Sequence, residues 1–278
     1  MASPTEIGRR HLGRARRSGE HALRRASAGS RPLPGFLIVG AQKAGTTSLL
    51  DLLCQHPGVA APVRKEVHFF DHEFARGPDW YRAHFPRARA ATVSGEATPY
   101  YLFHPLAPRR AAELVPDARL IVLLRDPIDR AFSQHNHERV LGFEQLDFEA
   151  ALAAEAARLG GEEERLIAEP GYRSFAHQHH SYLERGRYAG QLERWLECYP
   201  RERVLVLSAE DLFADPVSTA AEAQVFLGLE RLAPADTAAK NARSYAPIEP
   251  AARARLRAEL AADNARLYEL VGREFGWD

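Results

Sequence analysis

Cysteine, methionine and lysine are scarce in this chain of 278 residues, which has two, one and three of them. Cys54 and Cys198 are too few for a disulfide framework and cannot by themselves make a zinc site. That usage points to a reducing, cytoplasmic setting. Long apolar runs are also missing. The best, Phe36–Val39 and Leu120–Leu124, fall far short of the ~20 residues a membrane-spanning helix needs. The arginine-rich N-terminus lacks the apolar segment of a signal peptide. Net charge is absent too: 37 basic residues balance 37 acidic ones, which argues against a dedicated nucleic-acid partner. What remains, 45% apolar and 27% charged, excludes collagen, coiled coil and whole-chain disorder.

The charge is unevenly spread. Residues 1–35 hold eight arginines against Glu6 and Glu20, in a setting of Ser, Gly and Ala that ends at Pro32 and Pro34. This stretch reads as a disordered or loosely helical basic arm, leaving 36–278 as one domain. The lysines are the second anomaly. With 34 arginines present, Lys43, Lys65 and Lys240 mark places where a compact point charge suits and a planar fork does not.

Phe36-Leu-Ile-Val39 is a continuous apolar run suited to a strand buried on both faces. A glycine-containing loop, residues 40–45, follows it, and then leucines 49, 50, 52 and 53 at helical spacing. Two more such strands, Arg119–Leu124 and Val204–Leu207, each follow a helical stretch, about 106–115 and 188–199. Residues 147–185 read as polar helices broken at Gly160-Gly161 and Pro170-Gly171, and 250–272 as a last amphipathic helix. Strands alternating with helices predict an α/β fold with a parallel sheet.

Gly40-Ala-Gln-Lys-Ala-Gly45-Thr-Thr-Ser48 has the spacing of a phosphate-cradling loop between strand and helix. Amides of such a turn, with the positive end of a helix behind them, hold an anion, and three hydroxyls add donors. A triphosphatase loop needs Lys and then Ser/Thr after the second glycine. Here Thr46 and Thr47 stand there, and the lysine lies inside the loop at 43. The strand ending at Leu124 runs into Arg125-Asp126-Pro127, a cation where a magnesium-binding acid is expected. The loop thus suits a phosphate, but not the usual magnesium triphosphate. Arg125 at a strand end and Ser133 two turns into the next helix can form a second anion site.

The loop Val39–Ser48 resembles the 5′-phosphosulfate loop of sulfotransferases that use 3′-phosphoadenosine 5′-phosphosulfate (PAPS). Leu124-Arg-Asp-Pro-Ile-Asp-Arg-Ala-Phe-Ser133 resembles their 3′-phosphate motif. Lys65-Glu-Val-His-Phe-Phe-Asp71, Gly95-Glu-Ala-Thr-Pro-Tyr-Tyr101 and the closing Leu270–Trp277 are similar to the heparan sulfate branch. The resemblance spans 36–278 and implies a P-loop-like three-layer fold, a central parallel β-sheet flanked by helices. It implies a PAPS donor, 3′,5′-adenosine bisphosphate as product, and no metal.

On that resemblance the nucleotide-binding set is Gln42, Lys43, Ala44, Gly45, Thr46, Thr47, Ser48, Arg125 and Ser133, with Lys240, Arg243 and Tyr245 on a late covering loop. The late loop matches poorly. Lys43 is expected to stabilise the leaving phosphate. Glu66 is the expected general base, since the family places a catalytic glutamate there. Phe69 and Phe70 are expected to desolvate it and raise its pKa. His137, one turn past Ser133 on the same helix face, is the second candidate and matches a histidine of the N-sulfotransferases. Ala97 stands where that branch often has lysine, which puts an anionic heparan-like acceptor in doubt. The acceptor is expected to be a carbohydrate or another small molecule. His177-Gln-His-His180 reads as a polar helix face, not a metal site. A small P-loop kinase and a non-catalytic scaffold are the competing readings.

Overall fold

Five parallel strands form one sheet in the order β2-β3-β1-β4-β5. They are β1 (Phe36–Gly40), β2 (Val59–Ala60), β3 (Val93–Ala97), β4 (Arg119–Leu124) and β5 (Val204–Ser208). The computed structural model describes residues 24–87, 92–238 and 248–277. Along the chain the helices are α1 (Thr46–Leu53), α2 (Pro78–Arg82), α3 (Ala107–Leu114), α4 (Pro127–Leu141), α5 (Phe148–Leu159) and α6 (Glu162–Ala168). They continue as α7 (Phe175–His179), α8 (Tyr188–Leu196), α9 (Ala209–Ala214), α10 (Pro216–Phe226) and α11 (Pro250–Val271). This is the expected three-layer α/β architecture, a parallel sheet flanked by helices. No helix among the described residues is long and apolar enough to cross a membrane.

The apolar runs became strands buried along the whole length of β1 and nearly so in β4 and β5, with β1 and β4 inside the sheet and β5 at its edge. β1 lies between β3 and β4. The chain leaves β1 toward one side of the sheet and later builds the other side through β4 and β5, so strand order reverses beside β1. In open α/β sheets a ligand crevice lies at such a reversal, outside the carboxyl ends of the strands. The loop after β1 and Arg125 after β4 both sit there.

β3 has no apolar run to announce it. Its centre is Ser94-Gly95-Glu96, all buried. Gly95 is required because a Cβ there would lie 2.5 Å from the Phe36 ring and its carbonyl oxygen. Glu96 is tolerated because it is saturated with donors: the Tyr81 and Tyr101 hydroxyls (2.7 and 2.9 Å), Thr98 Oγ1 (2.5 Å) and the Val67 amide (3.1 Å). Burying such a carboxylate without partners would be costly.

Part of the stretch assigned to the basic arm is ordered on the domain. The Arg24 guanidinium donates to the carbonyls of Ala83 and Phe85 (3.0 and 2.7 Å), and Arg31 also donates to Phe85 O (2.8 Å). Arg82 returns a bond to Arg31 O (2.7 Å). The packed chain therefore begins no later than Arg24, ahead of the expected boundary at 36.

A second, smaller apolar cluster joins α4, α5 and α11 through Ile128, Phe148, Tyr182 and Leu256. At the C-terminus Trp277 is buried against Tyr188 (ring centroids 6.0 Å), whose hydroxyl donates to Arg125 O (2.9 Å). The closing segment thus supports the strand end that carries Arg125.

Candidate active site

A cleft of about 790 Å³ opens at the carboxyl ends of β1 and β4, within the range of nucleotide-sized ligand pockets. Gln42, Lys43, Gly45, Thr46, Thr47, Ser48, Glu66, Arg125, Ser133 and His137 all line it. The side chain of Ala44 does not: it is fully buried, and its amide donates to Ala41 O (3.2 Å), so this expected binding residue shapes the turn instead. Lys240, Arg243 and Tyr245 lie outside the described residues.

Gly45 precedes α1 at φ +94°, a left-handed conformation that disfavours any side chain. A Cβ there would also stand 3.1 Å from Leu212 and Phe213. No side chain caps α1, so its first-turn amides face the cleft as a ready anion cradle. Arg125 Nη1 donates to Lys43 O (3.1 Å), which holds its guanidinium against the loop at the same opening. Ser133 and His137 follow on α4 along one face.

Glu66 stands in an ionic row. Lys65 Nζ donates to Thr47 Oγ1 and pairs with Glu66 Oε1 (3.1 Å). Glu66 Oε2 faces His68 Nε2 (3.5 Å), and His68 Nδ1 meets Asp71 Oδ2 at 2.6 Å. Burial pushes Glu66 up, as expected from its aromatic neighbours. The hydrogen bond from His68 and the charges of Lys65 and His68 outweigh it and hold the carboxyl at about 2. The expected rise is thus corrected to a fall, because cations contact the oxygens directly and the rings do not. His68 responds in the opposite sense. Burial lowers it, but Asp71 and Glu66 raise it to about 10, so it is an imidazolium at neutral pH.

His68, Asp71 and His72 offer three donor atoms within 4.8 Å, the one grouping among the described residues with metal-ligand spacing. Of the run 177–180, expected as a polar helix face, Gln178, His179 and His180 are half-buried and His177 alone is buried. His177 is buried, stacked on Phe103 (4.1 Å), and burial pushes it down to about 2.

Several cleft residues had no role assigned from sequence. Lys65 was one of the three lysines, so its scarcity was the signal. Phe213, after the end of β5, holds its ring 5.8 Å from the Arg125 guanidinium. Buried Arg185 donates to Gln42 Oε1 and to the carbonyls of His177 and Gln178 (2.9 and 2.8 Å), fixing the amide of Gln42 from behind. Arg253 bonds Asp129 and so ties α11 to the cleft wall. These contacts join segments far apart in sequence, and no local pattern announces them.

The comparisons with known proteins identify an enzyme that transfers sulfonyl groups. The chain belongs to the sulfotransferase family, whose sulfotransferase domain matches residues 33–243. It is 30% identical over 282 residues to human heparan sulfate glucosamine 3-O-sulfotransferase 3B1, covering 91% of this chain and 67% of that protein. It is 34% identical over 211 residues to the human bifunctional heparan sulfate N-deacetylase/N-sulfotransferase 3, covering 71% of this chain and 22% of that protein. Among solved structures, a sulfotransferase from Alicyclobacillus acidocaldarius superposes with TM-score 0.75 at 34% identity, covering 88% of this chain and 99% of that one.

Proposed function

We propose that the protein transfers the sulfonyl group of PAPS to a hydroxyl or amine of a carbohydrate or other small-molecule acceptor. The observation that carries this reading is the pair of cationic features at one opening: the uncapped start of α1 with Lys43, and the guanidinium of Arg125. They suit the two ends of a doubly phosphorylated adenosine. In this reading α1 and its hydroxyls receive the 5′-phosphosulfate, and Arg125 with Ser133 receives the 3′-phosphate.

The transfer is an in-line displacement. The acceptor oxygen or nitrogen bonds to sulfur as the bond from sulfur to the 5′-phosphate oxygen breaks. That oxygen keeps the electron pair, and Lys43 meets its growing charge. The acceptor proton passes to Glu66. Positioning and charge stabilisation supply most of the rate, as in phosphoryl transfer.

A carboxyl held at about 2 is a weak proton acceptor. Lys65 eases part of this, while His68, the larger hold on the carboxyl, stays in place. Lys65 now bridges Thr47 and Glu66, and the sulfonate of an arriving donor competes for its ammonium. Once Lys65 turns to the sulfonyl oxygens, Glu66 loses a cation and its proton affinity rises. His68, braced by Asp71, keeps the carboxylate aimed. The likeness to heparan sulfate enzymes favours a sugar acceptor, whereas Ala97, buried in β3, brings no charge to the cleft.

The test is turnover with PAPS and a panel of sugar and phenolic acceptors. Glu66→Gln is expected to reduce turnover by ~10²–10⁴-fold with bisphosphate affinity nearly unchanged. Unimpaired turnover would move the base to His137, which lines the same cleft.

A further inference from the structure

Two acids, Asp126 and Asp129, stand between Arg125 and Ser133, where an anion site would want none. Asp126 is engaged by the helix start, accepting from the amides of Ile128 and Asp129. Asp129 is not turned away from the ligand side. It lies one turn before Ser133 on the same face of α4, and both residues line the cleft. Its carboxylate is 40% exposed. A charge one turn from Ser133 repels an arriving phosphate, and at a half-buried cleft wall water screens that repulsion only in part.

The cation that meets this carboxylate comes from the far end of the chain. Arg253 Nη2 bonds Asp129 Oδ1, and its Nη1 faces Asp126 Oδ2 at 3.6 Å. Arg253 itself lines the cleft. It shares one face of α11 with Leu256 and Leu260, three and seven residues on, and those leucines are buried in the cluster that holds Ile128 of α4. That apolar seat already joins the two helices and aims Arg253 at the start of α4. As a mere tie, a partly exposed ion pair adds little. Its charge, at the wall of an anion cleft, is what a ligand feels.

We infer that Arg253 is a positioning residue for donor selection: by neutralising Asp129 it admits a 3′-phosphate beside Ser133 and Arg125, and so makes the cleft prefer a 3′,5′-bisphosphate over a 5′-monophosphate. The inference rests on the sulfonyl-transfer reading above. Arg253 acts through Asp129, so removing the guanidinium leaves an uncompensated carboxylate, and removing both charges together does not.

The experiment is calorimetric binding of 3′,5′-adenosine bisphosphate and of 5′-AMP to the full chain, in wild type, Arg253→Ala, Asp129→Asn and the double variant, with a melting temperature for each. Arg253→Ala is expected to weaken the bisphosphate by at least about tenfold and to change 5′-AMP affinity by less than about twofold. Adding Asp129→Asn is expected to restore most of the loss, a coupling that the double-mutant cycle reads directly. Asp129→Asn alone is expected to leave bisphosphate affinity equal to wild type or tighter, which tests the inference even if Arg253→Ala folds poorly. An equal loss for both ligands would make Arg253 a structural tie. A loss that Asp129→Asn does not restore, no loss at all, or weaker bisphosphate binding in Asp129→Asn alone would also overturn the inference. A wild-type protein that binds the two ligands equally would instead sink the donor reading beneath it.

Discussion

His68 carries its proton because two carboxylates flank it, and that sets a pH signature. Its pKa rises from 6.5 to about 10 in the fold, so the stability it contributes is complete below pH 6.5 and is lost as pH climbs toward 10. Glu66 acts at the other end. It falls from 4.5 to about 2, so its contribution is present above pH 4.5 and fades as pH drops toward 2. Thermal melts from pH 6.5 to 10 should therefore show a steeper loss of stability in the wild type than in His68→Asn. Parallel slopes would mean that the imidazolium is not held as described. At this scale the sequence was informative about identity and misleading about state. Lys43, Glu66, Arg125, Ser133 and His137 were all legible from motifs. The direction of the Glu66 shift was not, because it depends on atoms of Lys65 and His68 approaching its oxygens, and adjacency to Phe69 and Phe70 says nothing of that.

Among the elements, α4 does most to organise the cleft, and its start is tied down by Asp126. That carboxylate caps the helix by accepting from the amides of Ile128 and Asp129 (2.8 and 3.1 Å), and its second oxygen faces Arg253 at 3.6 Å. Its own amide donates to Glu210 (2.9 Å). Asp126→Ala should cost about 0.5–2 kcal/mol, the usual worth of an N-cap. It should also weaken bisphosphate binding, because Arg125 is its neighbour. A melting temperature and affinity equal to wild type would show that the cap does not hold the strand end. The apolar strands and the major helices could be read from periodicity. β3 could not: Ser, Gly and Glu at its centre follow no strand pattern, and Glu96 is tolerated in the interior because Thr98 and Tyr101 just after it are joined by Tyr81 and the Val67 amide from earlier segments. Nor did the leader's composition show that Arg24 and Arg31 bond carbonyls of a distant segment.

For the molecule as a whole, strand order decides where chemistry can occur. With β1 between β3 and β4, the loop after β1 and the residue after β4 share one opening, while the closing Trp277 supports Arg125 through Tyr188. In the proposed function, two cationic features at this opening grip the two phosphate-bearing ends of one nucleotide. Thermal shift with matched ligands tests it most directly. A ligand at 100 times its dissociation constant stabilises the fold by about 2.7 kcal/mol. A large shift is expected with 3′,5′-adenosine bisphosphate, a much smaller one with 5′-AMP at the same concentration, and near equality of the two in Arg125→Ala. Equal shifts for both ligands in the wild-type protein would contradict the two-ended grip.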